Sequence, residues 1–277
     1  MVLGTDASAR TYPSARWTTR IALFSAMLAI SALFLHRLFS IPTPIALNLV
    51  KLSFAGGILA LVLAAYACIT IWRHGSGGFA RVFVGILIAL AVLAWPLPQI
   101  PAMRKLPRIN DLTTDFAAPP PFKKLAEMRA PDANTPVYPG DKFAEQQVAA
   151  YPDLRPLNIN RSVAEAYEIS AEALRRQGLT IVNEEPPGEE FPAVGLLEAY
   201  ERTPLWGFYD DVAVRVTGDQ QSAEIDLRSA SRYGQHDFGR NAERLRRLLQ
   251  EIVTRLEATV PAAARVPEER RGKATKR

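Results

Sequence analysis

The chain has one cysteine, Cys68, and three histidines, His36, His74 and His236. A single cysteine cannot close a disulfide framework, and without a CxxC pair neither a zinc ribbon nor a dithiol redox centre is expected. The histidines are scattered, so no metal site is expected either. There is no Walker loop, dinucleotide fingerprint or GxSxG elbow, and no cofactor is implied. Ser231, His236 and Asp237 lie close in sequence, but a catalytic triad is a spatial arrangement that adjacency does not supply.

Acidic residues are almost missing from the first third. From Met1 to Met103 the only one is Asp6. The formal net charge of +5 therefore hides an asymmetry. Residues 104–260 carry 20 Lys and Arg against 25 Asp and Glu, and the positive surplus lies in the first 103 residues and the tail 261–277. Nucleic-acid binding needs a basic face on the folded domain. A mildly acidic domain does not provide one, so no nucleic-acid partner is expected.

What fills the first third is apolar. Crossing the hydrocarbon core takes about twenty apolar residues, because lipid pairs with no backbone group. "LSFAGGILALVLAAYACITIW" (52–72) and "VFVGILIALAVLAWPLPQIPAM" (82–103) meet that length, with Pro96 and Pro98 expected to end the regular helix early. "IALFSAMLAISALFLH" is shorter, but Arg20 and Arg37 can snorkel and extend it. Spans are expected at about 18–39, 50–72 and 82–100. "FLHRLFSIPTP" lacks a small-x-small cleavage pattern, which disfavours a removed signal peptide. The basic residues of the connections split five against five. The first helix, preceded by Arg10, Arg16 and Arg20, favours a cytoplasmic N-terminus. Three crossings then carry the rest of the chain outside the cytoplasm, as part of a multi-pass protein of an inner or plasma membrane.

The expected organisation is a membrane domain (1–103), an extended proline-rich wrapping segment (104–160), an α+β core (161–260) and a basic disordered tail (261–277). "INDLTTDF" opens the domain with a short β-like run; residues 117–160 hold eight prolines and are expected to wrap the core without forming elements. "SVAEAYEISAEALRRQG" opens with the Ser162–Glu165 capping box, buries a stripe from Val163 to Leu174, and stops at Gly178. Four strands follow, at 179–184, 194–203, 210–217 and 223–229, and then a helix from about Phe238 to Glu257. The fold class is α+β: three membrane helices, an antiparallel sheet of about four strands and two main helices.

A turn centred between Asp219 and Gln220 pairs Val216 with Ala223, Val214 with Ile225 and Val212 with Leu227, which places the apolar residues on one face. The other face then pairs Arg215 with Glu224 and Asp211 with Arg228, and sets Glu198 and Asp226 on either side of Ala213. Asp210, Asp211, Arg215 and Glu224 are the expected structural ion pairs. Glu198 and Asp226, roughly 9 to 10 Å apart at two strand spacings, are the nearest approach to an acid–base pair. With Arg228 they allow a hydrolase or transferase reading. The alternative is a solvated face laced with ion pairs.

"DLRSASRYGQHDFGRNAERL" (226–245) joins the last strand to the last helix. Free amides, hydroxyls and guanidinium groups at such a junction suit a phosphate or carboxylate. The candidate ligand-binding residues are Arg228, Ser229, Ser231, Arg232, Gly234, Asp237, Gly239, Asn241 and Arg244. The same residues can instead clamp sheet to helix, with Asp210, Asp211, Asp226 and Asp237 satisfying the arginines.

"INDLTTDF", "YPD", "EAYERTPLWGFYDDVAVRV" and "IDLRSASRYGQHDFGRNAERL" together resemble the domain-of-unknown-function family numbered 1499, over about residues 107–257. By matching position its motif falls on Asp210, Asp211, Arg215, Asp226, Arg228, Ser229, Ser231, Arg232, Gly234, Asp237, Gly239, Asn241 and Arg244. The resemblance implies a domain placed beyond a membrane or export segment, and no established reaction. The expected function is a membrane-anchored envelope protein with a non-enzymatic domain that binds an anionic or polar ligand or partner at 228–244. A structural role beside another membrane protein is the further alternative, with Gly56, Gly57 and Gly85 allowing close helix approach.

Overall fold

Every long apolar run becomes a helix. The computed structural model describes residues 12–74 and 77–258; Asp6, Arg10 and the tail 261–277 lie outside the described residues. Helices α1 (Pro13–Phe39) and α2 (Thr43–His74) are followed by α3 (Phe79–Ala94). After Ala94 the chain passes Pro96 and Pro98 as a 3-10 turn, Leu97–Gln99, and resumes as α4 (Ile100–Lys105). The expected early stop is thus present, because proline removes a donor and crowds the preceding turn. Among the described residues, three helices are long and apolar enough to cross a membrane. All three begin earlier than the apolar runs did, since polar first turns are no obstacle to helix. At 32 residues α2 is ~48 Å long, well beyond the ~30 Å of a hydrocarbon core.

The three helices and the segment Arg202–Phe208 form one compact unit. A Cβ at Gly56 would stand 2.2 Å from Ser25 Oγ, and one at Gly85 2.7 Å from Thr18 Cγ2. These glycines are used within the bundle itself, where α1 comes close to α2 and α3.

The second unit comprises Leu106–Glu201 and the chain from Tyr209 onward. Its elements are β1 (Asp111–Thr113), α5 (Lys124–Glu127), α6 (Asp141–Ala150), β2 (Leu157–Ile159), α7 (Val163–Arg176), β3 (Thr180–Glu185), β4 (Ala193–Arg202), β5 (Tyr209–Gly218), β6 (Ala223–Ser231) and α8 (Arg240–Ala258). The antiparallel sheet runs β1-β6-β5-β4-β3, and β2 also pairs with β6. Four long strands were expected and six are present. The two others are three residues each and pair with β6; β1 falls on the short β-like run expected in "INDLTTDF".

The proline-rich segment is not free of elements. Its prolines leave 141–150 clear, and there α6 forms after Gly140, which takes a positive φ of 82°. Buried Gln147 of α6 brackets β1: its Oε1 accepts from Thr113 N at 3.1 Å and its Nε2 donates to Thr113 O at 2.7 Å. A side-chain amide thus does the work of a neighbouring strand at that edge.

The main helices follow their sequence signals. Ser162 Oγ accepts from Glu165 N at 3.2 Å, the stripe Val163, Ala166, Tyr167, Ser170, Ala173 and Leu174 is buried, and Gly178 ends the helix at φ 76°. Leu245, Leu248 and Ile252 of α8 pack with α7 over Val212, Val214, Val216, Ile225 and Leu227.

The β5–β6 register differs from expectation by two residues. Val216 faces Ile225, Val214 faces Leu227 and Val212 faces Ser229. The cause is a four-residue turn in which Asp219 Oδ1 accepts from Gln221 N at 2.7 Å and Ser222 N at 2.8 Å. A shift of two keeps every side chain on its expected face. It changes the partners: Arg215 lies opposite Asp226, Ala213 opposite Arg228, and Glu224 opposite Thr217.

Candidate functional site

The polar face of the sheet is not solvated. Residues 114–139 lie across it, and Phe122 and Leu125 pack on Leu196, Ala213 and Ala230. Asp211, Asp226 and Glu198 are fully buried there, and Arg228 nearly so. Burial of this kind is tolerated only when each charge is paired.

Glu198 shows how the cover is fixed. Its Oε1 accepts from Lys123 N (2.7 Å) and Leu125 N (3.1 Å), and its Oε2 from Lys124 N (2.9 Å) and Asn183 Nδ2 (2.9 Å). Asp226 accepts from Arg215 Nη2 at 2.7 Å and Thr114 Oγ1 at 3.3 Å, while Arg215 also holds Asp115 at 2.7 Å. Ala213 has Arg228 opposite it, not Asp226. Both carboxylates are engaged as anchors for residues 114–125.

The junction 226–245 is divided between the two faces. On the helix side Arg244, 1% exposed, donates to Asp210 Oδ2 (2.7 Å), Glu201 Oε2 (2.5 Å), Asn241 Oδ1 (2.6 Å) and Ser229 Oγ (3.0 Å). Burial alone would make Arg244 less basic, but Asp210 and Glu201 outweigh it and raise its pKa. Asn241 Nδ2 donates to Asn110 O at 3.1 Å and Ser231 Oγ at 3.2 Å. Asp237 caps α8 by accepting from Gly239 N (2.9 Å) and Asn241 N (3.0 Å). Burial raises the Asp237 pKa, and those two amides pull it back. Gly234 and Gly239 take φ of 88° and 82°, which glycine adopts freely. This half of the junction is a clamp between sheet and helix.

On the covered face Arg228 forks onto Asp111 at 3.0 and 2.7 Å and donates to Pro120 O and Pro136 O. Its guanidinium carbon lies 4.3 Å from the Phe122 ring centroid. Asp211 serves two cations, Arg129 at 2.8 Å and Arg232 at 2.8 Å. Burial pushes the carboxyls of Asp111 and Asp211 up, while the neighbouring guanidiniums pull them down. Three buried guanidinium groups here meet two carboxylates.

The surplus charge has a place to act. Arg129, its side chain 3% exposed, spends Nε on Asp211 and Nη1 on Asn134 O and Thr135 O, both at 2.8 Å. Its Nη2 is buried without a hydrogen-bond partner. Arg129 lines a cavity of about 130 Å³ together with Asn110, Asp111, Asn134, Thr135 and Ser231. That volume accommodates a small oxyanion or several waters, at ~30 Å³ per water. Of the residues expected to bind a ligand, only Ser231 lines it. Asn110, Asp111, Arg129 and Asn134 were not expected. Asn110 and Asp111 stand inside the noted "INDLTTDF", whereas Arg129 has no local signal, its partner Asp211 being 82 positions away.

The profile of a family described as a protein of unknown function (DUF1499) matches residues 111–252, more than half of the chain. The chain belongs to the DUF1499 family. No curated protein and no solved structure matches it. The DUF1499 match starts at Asp111, the partner of Arg228, and takes in both polar clusters. The three apolar helices precede it. Among the described residues of the chain, no group of three or more His, Cys, Asp or Glu is arranged to hold a metal ion.

Proposed function

We propose that this protein is a membrane-anchored binding module, not an enzyme, and that its DUF1499 domain takes a small anion or the carboxylate or phosphate of a partner in the cavity at Arg129. The observation that carries this reading is that Arg129 lines that cavity in a cluster of three buried guanidinium groups and two carboxylates. A surplus of buried positive charge is costly, and an anion entering the cavity supplies the compensating charge. Asn110, Asn134, Thr135 and Ser231 add neutral polar groups around it. Arg10, Arg16 and Arg20, at the N-terminal side of the first apolar run, favour a cytoplasmic N-terminus, so we place the domain on the outer side of a cytoplasmic membrane, in the cell envelope.

The test is thermal unfolding of the full chain in detergent, with phosphate or sulfate against chloride at matched ionic strength. Anion at a hundred times its Kd contributes about 2.7 kcal/mol. Arg129→Gln is expected to remove the gain, and Glu224→Gln to keep it. Equal gains in the wild type and Arg129→Gln, or no gain in either, would overturn the reading.

A further inference from the structure

The described residues of the helical unit carry no carboxylate side chain. Between Tyr12 and Lys105, and again in 202–208, the chain has no Asp or Glu. Four arginines gather at one end of this unit: Arg16 and Arg20 near the start of α1, Arg73 in the last turn of α2 and Arg81 in the first turn of α3. Contacts between the helices hold those ends together. Thr19 Oγ1 donates to Arg81 O at 2.8 Å, and the rings of Tyr12 and His74 lie 6.1 Å apart. All four arginines are exposed.

The same end bears exposed indoles. Trp72 is 90% exposed and Trp17 53%, and the Arg20 guanidinium lies over the Trp17 ring, 5.5 Å from its centroid. An indole has an apolar body and one polar N–H, so on a membrane-spanning helix it belongs at the boundary between acyl chains and headgroups. Arginines beside it stand at headgroup depth, where phosphates are the acceptors at hand. Arginine keeps its charge there and offers a planar fork that fits a phosphate. The opposite end is built differently. There Arg202 donates to Arg37 O at 3.2 Å, and Lys51 donates to Asn48 Oδ1 at 3.4 Å. We infer that the arginine end of the bundle binds anionic phospholipids in preference to zwitterionic ones, because the unit has no negative charge of its own to set against its guanidinium groups.

The experiment is native mass spectrometry of the full chain, released from a neutral detergent that holds equal amounts of phosphatidylglycerol and phosphatidylcholine with the same acyl chains. A basic residue near an anionic lipid surface favours it by about fivefold. The wild type is therefore expected to retain phosphatidylglycerol over phosphatidylcholine by more than about tenfold. Arg16→Gln with Arg20→Gln, and separately Arg73→Gln with Arg81→Gln, should each lower that preference by about tenfold or more, with melting temperatures showing that each pair variant is folded. Lys51→Gln with Lys105→Gln removes two charges elsewhere in the unit and should leave the preference in place. Equal retention of the two lipids by the wild type would overturn the inference, and so would a preference that survives in both folded arginine variants. A loss as large in the lysine variant would overturn the placement of the site at this end.

Discussion

Glu198→Gln distinguishes an anchoring carboxylate from a catalytic one. In the folded protein its two oxygens accept four hydrogen bonds, three of them from consecutive backbone amides of 123–125. Glutamine keeps one acceptor oxygen and turns an NH₂ toward two of those donors. Two bonds to a charged acceptor are lost, at about 1.5–3 kcal/mol each, and their donors are left buried. The expected loss is about 3–6 kcal/mol. For a domain of this size each kcal/mol moves Tm by about 2–4 °C, so the lower bound is a fall of about 6–12 °C. Calorimetry of the full chain in detergent reads it, with Glu224→Gln, opposite Thr217 and half-buried, as a control expected within about 0.5 kcal/mol. Because Glu198 holds residues 123–125, the same variant should expose Arg228 to proteolysis of the loosened cover. A Tm within 2 °C of wild type would refute the anchoring argument and return Glu198 to the candidates for chemistry.

Two further outcomes follow from single contacts. Gly239→Ala must hold φ near 82° and place Cβ 2.8 Å from Leu106 Cδ1, so a loss of about 1–3 kcal/mol in urea unfolding is expected; Gly188→Ala, with open space around it, should show almost none. The Arg246 guanidinium holds the Asp153 carboxyl below its ordinary value of 3.8. A depressed folded-state pKa contributes stability above the unfolded value that is lost as pH falls through the folded one. The stability difference between wild type and Arg246→Ala should therefore stay level at neutral pH and shrink below about pH 4; a difference unchanged down to about pH 2.5 would contradict the pairing.

Elements with a strong local signal were legible in advance. Ser162 and Gly178 bound α7, and proline ends α3 where the chain says it must. The alternation of β5 and β6 assigned every side chain to its face, although the turn at Asp219 moved the partners by two. What could not be read locally was anything fixed by a remote group. Alternation marks a face as polar, but only the cover from 114–139 makes it buried, and that cover is held by Glu198 from 73 to 75 positions away.

The amino-acid pattern alone determined the apolar front third, the α+β class, the family and the arginine-rich junction, because each depends on residues close together in the chain. Tertiary structure alone divided that junction between two faces of the sheet. It made a clamp around Arg244 on one side and, on the other, left Arg129 with an unpartnered donor beside a cavity. The reason is physical: a charge buried in a protein answers to whichever groups the fold brings within about 3 Å, and separation along the chain does not encode that.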